Sequence, residues 1–380
     1  MHLRRSLIKR KQFVSELFGK IKDNPLSSRL PLVHKKYGNS KYTIVSACYN
    51  VSAYLDDFFS SLIAQRLDFK NNIFCVMVDD GSTDDTAEKI KAWQRRYPEN
   101  ILYVRKENGG QADARNVGLQ HVKTPWVTFI DPDDFVNPLY FYTIDKELSK
   151  KVNVCFVGEN FIYFIENKQQ FSDTHPLRFK FEADVTRVSN GSSNTRYIHL
   201  QSGSGLFSMD VIREHGLTFS TLIRPNFEDA HFIARYLWHT MGGSLLFLKD
   251  AKYFYRKRLE NNSTIDRSWR DKRKFFDILQ YGYLDLLQNY GDFPYVHSLI
   301  LYDFYWYLKF FVNNPEKASF LTPAEVQDFL ALCDAVFSHI QVNTIMRFGL
   351  AKCWFYYKVG MCHCFKNEDI DEAQIVYAEE

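Results

Sequence analysis

Between residues 42 and 130 the chain alternates short, continuously apolar runs with amphipathic stretches, and this alternation leaves few folds open. Tyr42–Cys48, Ile73–Val78, Ile101–Val104 and Trp126–Ile130 are β-branched and aromatic runs of strand length. The intervening residues 52–66, 84–97 and 110–121 have helical spacing, with Tyr54, Leu55, Phe58, Phe59 and Leu62 on one face of the first. Strands that are apolar throughout are buried on both faces. The expectation is therefore an α/β fold with a mostly parallel sheet flanked by helices. Asp84 or Ser82 is expected to cap the second helix. Ligands of such sheets bind off the carboxyl ends of the strands, and two acidic clusters fall at two of those ends.

Downstream the pattern loosens. Helices are expected over 137–149 and 228–240, and short strands over 154–157, 161–164 and 244–248, with a turn at Ser202-Gly203-Ser204-Gly205. After about residue 270 glycine becomes scarce and aromatic residues recur at helical spacing, among them Phe275, Phe276, Tyr302, Phe304, Tyr305 and Tyr307. The organisation expected is a basic segment over 1–40, a main domain over 41–265 with halves at 41–135 and 136–265, and a helical C-terminal region over 266–380.

Charge is nearly balanced, at +3 over 380 residues, which argues against a nucleic-acid partner. Seven cysteines at irregular spacing, two of them inside apolar runs, point to buried thiols in a reducing compartment. Cys362-His363-Cys364 lacks the two-residue gap of zinc knuckles and reads as ordinary helix. Residues 1–22 interleave Arg4, Arg5, Lys9, Arg10 and Lys11 with Leu3, Leu7, Ile8, Val14 and Leu17. That is the pattern of an amphipathic helix lying on an anionic membrane surface. No apolar h-region and no run of about 18 apolar residues is visible. The expected location is cytoplasmic, with peripheral contact on the inner face of the membrane.

Four constellations carry chemistry. In Val78-Asp79-Asp80-Gly81-Ser82-Thr83-Asp84, two carboxylates end a strand where they can accept hydrogen bonds from a base N–H or ribose hydroxyls. In Asp131-Pro132-Asp133-Asp134, three carboxylates within four residues repel one another unless a cation sits among them. Hard oxygens of this kind suit Mg²⁺ or Mn²⁺ bridging to a pyrophosphate. Glu228-Asp229 opens a helix, whose N-terminus favours carboxylates, so capping is the plain explanation. Tyr253–Thr264 groups Arg256, Lys257 and Arg258 before Ser263, as a basic loop that could clamp a diphosphate.

Residues 42–135 resemble the nucleotide-binding half of family 2 glycosyltransferases, which have the GT-A fold. The matching pieces are Val45-Ser46-Ala47-Cys48-Tyr49-Asn50, Val78–Asp84, Asn108-Gly109-Gly110-Gln111-Ala112-Asp113-Ala114-Arg115-Asn116-Val117-Gly118 and Ile130–Asp134. The last stands at the family's Asp-X-Asp position, with Pro132 where a small residue is more usual, which should stiffen the loop. The resemblance implies that Asp79 or Asp80 contacts the uracil and Asp131 the ribose, and that Asn50 and Arg115 line the nucleotide pocket. It implies that Asp133 ligates a divalent cation, Mn²⁺ or Mg²⁺, and that Arg256, Arg258 and Ser263 face the diphosphate. Asp229 becomes the base, with Glu228 beside it; Asp134 has no assigned role.

The half over 136–265 would then hold the acceptor. The implied activity is that of a metal-dependent inverting hexosyltransferase. It would move a sugar from a UDP-linked donor to a hydroxyl of a bacterial cell-surface glycan or polyol-phosphate polymer, such as capsule, teichoic-acid-like polymer or lipopolysaccharide. Self-association or a larger assembly through the C-terminal helices is the further partner expected. Two other functions share parts of this pattern. A nucleotidyltransferase needs a Gly-rich phosphate loop after the first strand, where Tyr49-Asn50-Val51-Ser52 stands instead. A non-catalytic polymer- or protein-binding module does not need the two acidic pairs.

Overall fold

The computed structural model describes residues 42–150, 153–191, 195–258 and 268–366. The basic N-terminal segment, with the membrane contact expected of it, and Ser263 lie outside the described residues. The described chain forms two compact units: Met1–Val188, Gln201–Phe219 and Gly243–Asn261 in one, Ser189–Leu200, Ser220–Gly242 and Asn262–Glu380 in the other.

The first unit opens with the expected alternation: β1 (Tyr42–Cys48), α1 (Leu55–Ile63), β2 (Ile73–Asp80), α2 (Thr86–Arg96), β3 (Ile101–Lys106), α3 (Gln111–Leu119) and β4 (Trp126–Thr128). These four strands are parallel, in the order β3-β2-β1-β4. In register, Tyr42 lies beside Ile73 and Trp126, and Cys48 beside Asp79. The carboxyl ends of β2 and β4 therefore flank that of β1, where the winding direction reverses. Gly118 lets α3 settle on the sheet, because a Cβ there would collide with Val45 Cγ1 and come within 3.3 Å of Val78 Cγ2.

The second half of the sheet is mixed rather than parallel. It adds β5 (Phe135–Val136), β6 (Val154–Ile165), β7 (Gln170–Ser172), β8 (Val185–Ser189), β9 (Gly205–Ser208) and β10 (Ser244–Lys257), with α4 (Tyr140–Leu148) and α5 (Met209–Glu214). β9 runs antiparallel to both β4 and β6, and β6 is parallel to β10. Two expectations change here. The short strands at 154–157 and 161–164 are one strand of 12 residues. The strand expected to stop at residue 248 continues to Lys257, a length of 14 residues, so Tyr253–Lys257 is sheet and not loop. The turn at Ser202–Ser204 is a short 3-10 helix leading straight into β9.

Several polar groups are buried inside this sheet, and one of them makes stability depend on pH. Glu159 on β6 is fully buried, with the Tyr140 hydroxyl beside its carboxyl. Burial holds its carboxyl well above the ordinary 4.5. The folded state thus retains a proton that the unfolded chain releases. Stability is full below about pH 4.5 and declines as pH rises towards the folded-state value. Glu159→Gln should remove that decline. In denaturant titrations the advantage of the variant over the native protein should grow from pH 5 to pH 8; a constant difference would contradict a neutral Glu159.

The second unit holds α6 (Glu228–Trp238) and the C-terminal helices. α7 (Arg273–Asp277) passes through a π-helical segment, Ile278–Tyr283, into α8 (Leu284–Tyr290). α9 (Pro294–Phe311), α10 (Pro323–Ser338), α11 (Val342–Arg347) and α12 (Phe355–Lys366) follow. Aromatic edges fill the interior: Phe275 meets Tyr307, Phe311, Phe320 and Phe329. Thr322 and Glu325 close a reciprocal capping box on α10. Six of the seven cysteine side chains are buried. Among the described residues no helix is long and apolar enough to cross a membrane.

Candidate active site

The carboxyl end of β2 is tied down by its own carboxylates. Gly81, at φ +77°, turns the chain after Asp80. Asp79 is fully buried; Oδ1 accepts from the Ser82 amide at 2.8 Å and Oδ2 from the Tyr103 hydroxyl at 2.7 Å. Asp80 accepts from the Gly109 and Gly110 amides at 2.9 and 2.8 Å and from Lys106 Nζ at 2.6 Å. Lys106 also reaches Asp113 at 2.7 Å. The pair thereby fastens the loop between β3 and α3 to the end of β2.

Asn50 does the same for the loop after β1. It has φ 52°, a conformation Asn tolerates, and its Oδ1 accepts from the Thr83 and Asp84 amides at 2.9 and 3.3 Å. Its own amide donates to Ser82 Oγ at 3.1 Å. The N-cap of α2 is Asp85, with no side-chain cap bond, rather than the expected Asp84 or Ser82; Asp84, one residue earlier, accepts from the Thr86 amide at 3.0 Å.

At the end of β4 the three carboxylates have different surroundings. Asp131 accepts from Arg115 Nη2 at 3.0 Å and from Gln111 Nε2 at 2.9 Å. Arg115 is 1% exposed, with its guanidinium 5.3 Å from the Phe219 ring centre. Asp133 Oδ2 accepts from Arg258 through Nε, at 3.0 Å, and through Nη2. Asp134 is buried; Oδ1 accepts from the Arg256 amide at 2.8 Å and Oδ2 from the Tyr253 hydroxyl. Burial, and behind it Asp133 and Asp131, push the Asp134 carboxyl well above its ordinary range. Asp134 is thus the anchor of the turn, while Asp131 and Asp133 form its partly exposed face. The expected mutual repulsion is met by protein groups: each carboxylate has its own donor.

Arg256 departs from its expected setting as a loop cation. It lies within β10, 3% exposed. Nη2 meets Asp57 Oδ2 at 2.9 Å, Nη1 meets Glu166 Oε1 at 3.2 Å, and Nε donates to the Asp133 carbonyl at 2.7 Å. The aromatic rings of Tyr54, Phe135 and Phe164 surround it at 5.2 to 5.4 Å. These contacts occupy the guanidinium, so its work is to hold the acidic turn from below. Arg258 follows β10, keeps partial exposure and lies 4.9 Å from the Tyr54 ring centre.

The two acidic clusters converge on Cys48, at the end of β1. Its thiol is pushed well up by burial and then by Asp79, Asp131 and Asp133. Tyr253, Asp57, Glu166, Gln111 and Lys106 were not anticipated; each reaches the site through a contact distant in sequence, and only the strand-like pattern of Tyr253–Lys257 hinted at one of them.

In the second unit, Glu228 and Asp229 form the first turn of α6; the residue before them, Phe227, makes no side-chain cap. Phe227 is in the left-handed region at φ 85°, which is costly for a bulky side chain. Its ring packs edge-on to Tyr283 at 4.9 Å, and Gly282 leaves it room: a Cβ there would lie 2.9 Å from Phe227 Cδ1. Lys274 Nζ donates to Asn226 Oδ1 at 3.2 Å, and His231 Nε2 lies 2.7 Å from Asp285 Oδ2. The start of the helix is therefore held by the helices after it. Glu228 is buried and Asp229 only partly so.

Residues 43–213 match the profile described as Glycosyl transferase family 2. The Minor teichoic acid biosynthesis protein GgaA of Bacillus subtilis (strain 168) is 30% identical over 360 residues, which cover 89% of this chain and 75% of that protein. In fold, the chain is similar to S. aureus TarS 1-349 in its complex with UDP-GlcNAc, with a TM-score of 0.64, 16% identity and 89% of each chain covered. It is also similar to the mannosyltransferase PcManGT from Pyrobaculum calidifontis in complex with GDP-Man and Mn²⁺, with a TM-score of 0.50, 14% identity and 90% and 87% covered. The fold is thus GT-A-like. By this extended identity to GgaA and the match over 43–213, the chain belongs to glycosyl transferase family 2.

Proposed function

We propose that the protein is an inverting glycosyltransferase that moves a sugar from a UDP-linked donor to a hydroxyl of a bacterial cell-surface polymer of the teichoic-acid kind. The observation that carries this is the convergence of Asp79, Asp131 and Asp133 around the end of β1, on a ligand-binding edge of a parallel sheet. The GgaA relative, named for teichoic acid biosynthesis, and the UDP-GlcNAc complex of TarS supply the polymer and the nucleotide by analogy.

Asp79 and Asp80 shape the pocket wall for the base, by bracing the loops around it. Asp131, backed by the buried Arg115, faces the ribose, and Asn50 holds the loop on the other side. Asp229 takes the proton from the acceptor hydroxyl as that oxygen attacks the anomeric carbon from the face opposite the leaving group. Glu228 supports it. Arg258 offers a planar, bidentate donor to the diphosphate.

A divalent cation suits the site only in one form. Among the described residues no group of three or more His, Cys, Asp or Glu side chains is arranged to hold an ion. Asp133, a hard, partly exposed carboxylate, is the residue that would hold a Mg²⁺ or Mn²⁺ ion. Such an ion, when bound, neutralises charge on the departing diphosphate.

Incubating the protein with a panel of nucleotide-sugars, with and without EDTA and with poly(glycerol phosphate) or poly(ribitol phosphate) as acceptors, tests the reading. UDP release that needs both polymer and divalent cation is expected. Release from no UDP-sugar with any acceptor would overturn it.

A further inference from the structure

We infer that Arg258 holds the place of the divalent cation at Asp133 and leaves it only when a nucleotide diphosphate arrives, so that cation and nucleotide bind interdependently. The inference rests on the donor-site reading above and specifies how that site is filled.

The acidic turn is already neutralised by the protein. Arg115 and Gln111 serve Asp131, the Tyr253 hydroxyl and the Arg256 amide serve Asp134, and Arg258 serves Asp133. Two of the three arginines are immobilised. Arg115 is buried and aligned on Asp131. Arg256 has its guanidinium shared among Asp57, Glu166 and the Asp133 carbonyl. Arg258 differs in each respect. Its side chain is 26% exposed, and among the described residues its hydrogen bonds go to a single oxygen, Asp133 Oδ2. Its other neighbour is the half-buried ring of Tyr54, a surface along which a guanidinium can slide with little loss.

A cation ligated by Asp133 sits about 2.1 Å from a carboxylate oxygen. The guanidinium on the same carboxylate would then be a like charge at close range, in surroundings less screening than water. The two therefore exclude one another. A diphosphate reverses the balance, because it offers Arg258 two planar acceptors in place of the one it gives up. Asp133 is released at the moment the diphosphate oxygens needed to complete a cation's shell are present. Since coupling between two ligands is reciprocal, nucleotide must tighten cation binding by the factor by which cation tightens nucleotide binding.

The experiment measures Mn²⁺ binding by electron paramagnetic resonance in the absence of nucleotide, and UDP binding by calorimetry with and without saturating Mn²⁺. The proteins are wild type, Arg258→Gln, Arg258→Lys, Asp133→Asn and the double variant R258Q/D133N. Removing Arg258 should tighten Mn²⁺ alone by about fivefold or more, and the double variant should lose that gain. In the same protein, the factor by which Mn²⁺ strengthens UDP binding should shrink by a similar amount. Arg258→Lys, which keeps the charge without the fork, should fall between, and it guards against a Gln variant that folds poorly. Unchanged Mn²⁺ affinity in both Arg258 variants, or a gain that survives Asp133→Asn, would overturn the exchange. If UDP still binds the wild type in that case, the donor site stands and only the exchange fails. UDP binding to none of the proteins would remove the donor-site reading itself.

Discussion

Asp229→Asn is expected to lower the rate of sugar transfer about 10²–10⁴-fold while leaving UDP affinity unchanged. The size follows from the contribution of a positioned general base. The selectivity follows from its role: the base acts on the acceptor hydroxyl and is not among the carboxylates proposed to hold the donor nucleotide. The conservative amide keeps shape and polarity and removes basicity. The first turn of α6 should survive, because Phe227, Asn226 and His231 are held independently by Tyr283, Lys274 and Asp285. Rapid-quench kinetics on a UDP-sugar and acceptor polymer would check it. A variant that transfers at the wild-type rate, or that loses UDP binding in proportion to rate, would remove Asp229 from the role of base.

Arg256→Met should be the most destabilising single change at the site, by about 3–5 kcal/mol, because it removes the buried cation shared by the buried Glu166 and the partly exposed Asp57. Burial already raises the Asp57 carboxyl despite Arg256 beside it. Arg256→Lys cannot reproduce the fork that spans Asp57, Glu166 and the Asp133 carbonyl and should recover only part of the loss. The triple variant R256M/D57N/E166Q should regain stability, since no charge remains stranded, yet bind UDP weakly, since the Asp133 carbonyl has lost its donor. Urea denaturation with UDP calorimetry on the same samples separates the two effects. Weakened UDP binding with native stability in R256M would instead make Arg256 a direct contact of the diphosphate.

That contrast shows where sequence reading reaches and where it stops. The parallel core was legible because each of its strands is apolar on both faces, and the strand-end acids were legible because they interrupt those runs abruptly. The burial of Asp134 was not, since three neighbouring carboxylates look alike until Tyr253 and the Arg256 amide are placed. Arg256 looks like a loop residue in the sequence because it stands among Lys257 and Arg258. Its true setting depends on how far β10 extends beside β6, and on partners 199 and 90 positions away in the chain. The left-handed Phe227 is likewise a product of packing against Tyr283 and Gly282, with nothing local to announce it.

The central claim is that the edge of the sheet around Asp131 and Asp133 binds the nucleotide diphosphate of the donor. Calorimetric titration of UDP into wild type, Asp131→Asn and Asp133→Asn, each in Mn²⁺ and in EDTA, tests it most directly. The account predicts that wild type binds UDP more tightly in Mn²⁺ than in EDTA, that Asp133→Asn abolishes this difference, and that Asp131→Asn weakens binding in both. Equal UDP affinity in all three proteins, whatever the metal, would contradict it.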